Sequence, residues 1–155
     1  MVDLAGMMKE MESGKELDEI LQKYDWKFFE EFVSEVFKKN DFQTKLNFRF
    51  KTTKRFEIDV VAARNNKIFC IDCKWWGRGR YKKSGLKKAI IKQQTRVQEF
   101  KKFLRKNQIA GLELDSKFEM YPLLITLHDE DMIKFNKTLV IPVWKLNRTI
   151  VDMLL

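Results

Sequence analysis

The sequence predicts an α/β fold, a mixed β-sheet with helices packed against it, on three observations. Three β-branched, alternating runs follow one another across turns of four and two residues; a long amphipathic helix comes next; two further apolar runs and a closing helix follow. Because the long helix lies between the third and fourth runs, it can act as the crossover that sets those two strands parallel. The predicted order is α-α-β-β-β-α-β-β-α. At 155 residues, 45% hydrophobic and 13% aromatic, the composition supports one cored domain and excludes intrinsic disorder. No apolar run approaches the roughly 20 residues of a membrane span, so no membrane partner is expected.

Residues 1–23 carry Leu4, Met7, Met8 and Met11, then Leu17, Ile20 and Leu21, on either side of Ser13-Gly14. They predict two short amphipathic helices, read as an extension preceding a domain over 24–155. Asp25 is placed to cap a stronger helix, "WKFFEEFVSEVFKKN", with Trp26, Phe29, Phe32, Val33, Val36 and Phe37 on one side. At about 100° per residue Glu30 falls near that apolar face, whereas Glu31 points away. The strands are "FQTKLNFRF", "FEIDVVAAR" and "KIFCIDCKWW", an antiparallel meander turned by "KTTK" and "NN". After the basic loop "GRGRYKKSG" comes the helix "LKKAIIKQQTRVQEFKKFLRKN", with Leu86, Ile90, Val97, Phe100 and Leu104 in its stripe. Gln93 fills the missing stripe position and is expected to find a buried partner; Arg96 flanks the same face. "MYPLLITLH" and "TLVIPVW" are the last two strands, and "NRTIVDMLL" closes the chain with Asn147 as its expected cap.

Several chemistries are excluded. Cys70 and Cys73 are spaced CxxC, but residues three apart on a strand point to opposite faces, so buried reduced thiols are expected rather than a zinc site. His128 is the single histidine, which removes His-based triads and metal clusters; it is read as a strand-end residue. The net charge of +9 is concentrated. From Lys74 to Lys106 thirteen bases face one acid, Glu99, while the rest of the 31 bases and 22 acids is slightly acidic, eighteen against twenty-one. Such a run is either a solvated face or a surface for a polyanion such as nucleic acid.

The third strand opens the question of chemistry. Glu57 and Asp59 alternate onto one face of their strand, and Asp72 and Lys74 onto one face of the next, with Ile58, Val60, Ile71 and Cys73 opposite. If the "NN" turn makes the two strands neighbours, Asp59 and Asp72 approach at one end of the sheet. Two buried carboxylates repel and need a cation. Lys74 can supply it in a plain buried ion pair; a divalent metal with oxygen ligands and a phosphate, as Mg²⁺ prefers, is the other solution.

The pattern Asp59, twelve residues, then "DCK" at Asp72–Lys74 resembles the PD-(D/E)xK nuclease superfamily. "DWKFFEEFVSEVFKKNDF" and "LVIPVWKLNRTIVDML" resemble parts of Mrr-type restriction endonucleases and archaeal Holliday-junction resolvases, and the similarity runs from about Tyr24 to Leu155. It implies a restriction-endonuclease-like mixed sheet and hydrolysis of DNA phosphodiesters with Mg²⁺, or Mn²⁺ as substitute. Asp59, Asp72 and the backbone carbonyl of Cys73 would hold the metal, while Glu30 would bind through water or hold a second ion. Lys74 would position the attacking water, and Gln93 would orient Lys74 or that nucleophile. Ile58 stands where the motif's proline would be, and Glu57 could join or replace Asp59 as a ligand. Arg78, Arg80, Lys82, Lys83, Lys87, Lys88 and Arg96 are expected to contact DNA phosphates, while Trp75 and Trp76 divide between core packing and base or dimer contacts. A nuclease-like module that binds DNA without cutting it is the alternative; an RNA-binding reading lacks an RNP-like or KH-like motif. The N-terminus lacks the order of a secretion signal, so a cytoplasmic protein is expected. Cutting of both strands would favour a homodimer.

Overall fold

The computed structural model describes residues 6, 7, 9, 17–21, 25–75, 83–112, 114, 117–128, 130 and 134–154. Its elements are α1 (Leu17–Leu21), α2 (Trp26–Lys39), β1 (Gln43–Lys51), β2 (Arg55–Arg64), β3 (Lys67–Lys74), α3 (Lys83–Lys106), β4 (Glu119–Thr126), β5 (Lys134–Phe135), β6 (Thr138–Pro142) and α4 (Leu146–Leu154). Asp25 caps α2 as its position implied: extended, it accepts the Phe28 N–H at 2.9 Å, satisfying a donor that the first helical turn leaves without a partner. The other end stops at Asn40, and Asp41 takes the left-handed conformation at φ 66° while Phe42 N–H returns to the Phe37 carbonyl. This bend turns the chain directly into β1.

Six strands form one sheet in the order β1-β2-β3-β4-β6-β5. β1, β2 and β3 are antiparallel neighbours, and α3 carries the chain over to β4, which runs parallel to β3 and to β6. One face is covered by α2 and α4, with Phe29, Phe32, Phe37, Val60, Ile71, Leu123 and Leu146 in a shared cluster. On the other lies α3, whose Val97 and Phe100 meet Phe50, Ile58, Val61 and Cys70, and whose Leu86 and Ile90 meet Leu124 and Val140. Each such large side chain contributes roughly 1.5–3 kcal/mol on burial, so the two apolar layers hold the sheet from both sides. Met7, Ile20 and Leu21 join the α2 cluster, so described residues before position 24 share the core; Leu4, Met8 and Met11 lie outside the described residues.

Four local departures have physical causes. Trp26 is 52% exposed, because it sits at the first turn of α2, beyond the reach of the sheet. β3 ends at Lys74, and Trp75 leaves the strand to pack edge-on against Phe29 at 5.5 Å; Trp76 lies outside the described residues. Asn147 is inside α4 and caps nothing. A 3₁₀ turn over Val143–Lys145 runs straight into the helix, and Asn147 Oδ1 instead accepts Asn40 Nδ2 at 2.9 Å. β5 was not anticipated; Asn136 and Lys137, both at positive φ, form the two-residue turn that folds it onto β6.

Candidate active site

The two-residue turn at Asn65-Asn66 sets the β2–β3 register, with Asn65 in the left-handed region at φ 55°. Backbone pairing between these strands runs from Arg64–Lys67 to Val60–Ile71 and stops there. Beyond that point β2 stays on β1 as far as Lys51–Arg55, and β3 stays on β4 as far as Lys74–Thr126. The sheet forks. The next position in register would set Asp59 opposite Asp72, and with the ladder broken the Cys73 N–H donates to Asp59 Oδ2 at 2.9 Å rather than to a strand carbonyl.

Alternation also fails at this point. Val60 packs under α2 as expected, but Ile58 packs under α3 with Val61, so the strand switches faces at Asp59. Opposite, Asn47 of β1 takes φ 49°, a backbone state that a short amide tolerates better than most side chains. Its Nδ2 donates at 3.0 Å to Oε2 of Glu30, which α2 brings in buried from above the sheet.

Electrostatics concentrate on Asp72, only 4% exposed. Lys74 Nζ lies 3.1 Å from its Oδ2 and Arg96 Nη1 lies 3.8 Å from its Oδ1. Despite that ion pair, Oδ2 is shut off from solvent and accepts no aligned hydrogen bond. Burial, followed by the charge of Asp72, pushes the Asp59 carboxyl up to about 8, against the pull of the Cys73 N–H. Burial, then the charges of Glu57 and Asp72, pushes Glu30 up to about 7, against Lys27. Three acids thus converge on the fork from β2, β3 and α2, and they resist sharing it as anions.

From the other layer, Gln93 is fully buried in α3, and both ends of its amide are used. Nε2 donates to the Cys70 carbonyl at 2.8 Å, and Oε1 accepts Arg96 Nη1 at 3.2 Å. Gln93 therefore touches strand backbone and Arg96 rather than Lys74, and it aims a guanidinium at Asp72. Glu57 lies at the exposed rim, bonded to Arg49 Nε at 2.8 Å. Both cysteines are free thiols; burial pushes Cys70 upward, and burial together with Asp59 and Asp72 does the same for Cys73, so neither offers a thiolate. Lys87 and Lys88 are exposed on α3, with Lys87 Nζ 5.4 Å from the Phe135 ring centre. Arg78, Arg80 and Lys82, with the Lys83 side chain, lie outside the described residues.

Asn47 was missed. Its signal was a residue of poor strand propensity in the middle of an alternating run.

Among the described residues no three His, Cys, Asp or Glu side chains form a ready-made metal cluster. The donors at the fork still suit a hard cation. Mg²⁺ is commonly held by one or two carboxylates, with waters and substrate phosphate completing its shell. Asp59 and Asp72 supply such a pair, and Asp72 Oδ2, ion-paired with Lys74 but accepting no aligned hydrogen bond, keeps lone-pair capacity for it.

A forked mixed sheet flanked by helices on both faces, with Asp59, Asp72 and Lys74 at the fork, defines a restriction-endonuclease-like fold of the PD-(D/E)xK class. The model of the Mrr_cat restriction endonuclease family matches residues 21–110, more than half of the chain, and the chain belongs to that family. An uncharacterized protein of Archaeoglobus fulgidus is 29% identical over 129 residues, covering 83% of this chain and 91% of its own. The crystal structure of AF1548, a protein of unknown function, shares the fold at a TM-score of 0.50 and 20% identity, covering 81% of this chain and 55% of that one. Protein VC1899 from Vibrio cholerae aligns at a TM-score of 0.48 and 16% identity, over 83% of this chain and 33% of its own. The chain therefore spans about half or less of these two solved structures.

Proposed function

We propose that the protein is a metal-dependent DNA endonuclease. The observation that carries this reading is the pair of carboxylates, Asp59 and Asp72, held together at the sheet fork with Lys74 3.1 Å from one of them. For folding alone the two neighbouring acids oppose one another, a cost that Lys74 and Arg96 offset at Asp72. In a nuclease of this family the pair has a use. Asp59 and Asp72, with the Cys73 carbonyl, would hold Mg²⁺ or Mn²⁺, which when bound polarises the scissile phosphate and lowers the pKa of a coordinated water.

The chain's own groups do the rest. Lys74 directs its ammonium to the attacking water and to the charge that develops on the phosphoryl oxygens. Glu30, held by Asn47, would, as a carboxylate, accept a proton from water at the site. Arg96, braced by Gln93, holds Asp72 in place and adds positive charge beside the phosphate. The basic α3 residues Lys87 and Lys88 bind the DNA backbone without reading sequence.

The test is incubation with duplex, branched, flapped and single-stranded DNA in Mg²⁺, in Mn²⁺ and in EDTA, next to Asp72→Asn and Lys74→Ala. Metal-dependent cleavage is expected, falling by about 10²–10³-fold in either variant, the usual loss when a preorganised charge is removed from a site. Cleavage that persists in both variants refutes the assignment. Tight DNA binding with no cleavage of any substrate identifies a recruitment module instead.

A further inference from the structure

We infer that the groove at the tip of the β1–β2 hairpin is a second phosphate-binding site, which holds the DNA strand to one side of the scissile position. The inference rests on the nuclease reading. The groove is about 710 Å³ and is lined by Arg49, Phe50, Lys51, Arg55, Phe56 and Glu57. Glu57 ties it to the fork, because its charge is one of those that raise Glu30. Arg55 lies four residue steps along β2 from Asp59, about 13 Å along a strand, or roughly four nucleotide steps measured along the axis of B-form DNA.

Two features point to an anion. Lys51 and Arg55 are direct cross-strand partners in the β1–β2 register. Like charges placed opposite one another weaken a strand pair, and among the described residues neither makes an ion pair that would relieve it. A bridging phosphate removes that repulsion. Secondly, the groove is built before any ligand arrives. Thr52 at the hairpin tip donates to Glu99 of α3 at 2.9 Å, and Phe50 is wedged against Phe56, Phe100 and Phe103 at 5.2–5.4 Å between ring centres. A rigid basic site spends little order on binding. Inside the groove Arg49 is already engaged by Glu57 at 2.8 Å, which leaves Lys51 and Arg55 to meet phosphates.

Single charge reversals test this without threatening the fold, since Lys51→Glu or Arg55→Glu creates an opposite-charge cross-strand pair. The control is Lys134→Glu on β5, at the far edge of the sheet, with the same change in net charge. Affinity for a fluorescently labelled 30-nucleotide duplex, and for a single strand, is measured by anisotropy in Ca²⁺ across a salt series. Melting temperatures are recorded for all proteins. The expected result is an affinity loss of about tenfold for each groove variant, a salt slope shallower by about one phosphate contact, and melting temperatures equal to or above the wild type. The control should change less than twofold. Equal losses in groove variants and control, or none in either, overturn the groove while wild-type binding and cleavage leave the nuclease reading standing. Wild-type protein with no affinity for either DNA overturns both.

Discussion

Replacing Asp59 by Asn should flatten the pH dependence of stability between pH 7 and 8. In the unfolded chain the Asp59 carboxyl ionises near its ordinary 3.8; in the folded chain burial and Asp72 hold it protonated up to about 8. The native state therefore binds the extra proton across that window, and stability falls as pH rises through it. One proton corresponds to about 1.4 kcal/mol per pH unit while fully retained, and roughly 1 kcal/mol between pH 7 and 8, where it is half lost. Partial exposure of Asp59 reduces this through solvent screening. Glu30 adds a slope of the same sign that is half spent at pH 7 and contributes roughly a third as much as Asp59 between pH 7 and 8. The upper window thus belongs mainly to Asp59. Asn keeps the volume and an acceptor for the Cys73 N–H, so it removes the charge and little else. The assay is urea unfolding in EDTA at pH 6, 7 and 8. The wild type should lose stability with each step, and Asp59→Asn should be more stable at pH 8 and keep only the small Glu30 slope from pH 7 to 8. A wild type whose stability is flat or rises from pH 7 to 8, or a variant that keeps the wild-type slope, would refute the claim that the two acids confront each other at the fork.

The remaining expectations test the support of the site and the fold. Gln93→Leu leaves the buried Cys70 carbonyl without its donor and releases Arg96, so unfolding free energy should drop by about 1–3 kcal/mol, read by denaturant titration. Cleavage should fall further than the loss of folded protein alone predicts. Lys137→Gly relieves a lysine held at φ 68° in the β5–β6 turn; after the entropy lost by a more flexible unfolded chain, a gain of about 0.5–1 kcal/mol is expected in the same titration.

What the sequence determined alone is local and periodic. The cap at Asp25, the apolar stripe of α2 with Glu30 beside it, the three meander strands, and the acid–acid–lysine pattern are all consequences of spacing along a helix or strand. The α3 crossover followed from helix placement between two strands, and Gln93 was legible as a polar residue in an apolar stripe that must find a partner. Tertiary structure decided what those residues meet. Alternation predicts that Ile58 shares a face with Val60, yet the fork reverses it, because β2 follows β1 while β3 follows β4 and no periodicity within one strand records which neighbour it keeps. The same choice brings Asn47 to Glu30 over seventeen residues and Arg96 to Asp72 over twenty-four. It also places Lys51 opposite Arg55, making one basic groove of two strand ends. Burial in the folded core first, and then the charges of such long-range neighbours, are what raise Glu30 and Asp59 at the fork.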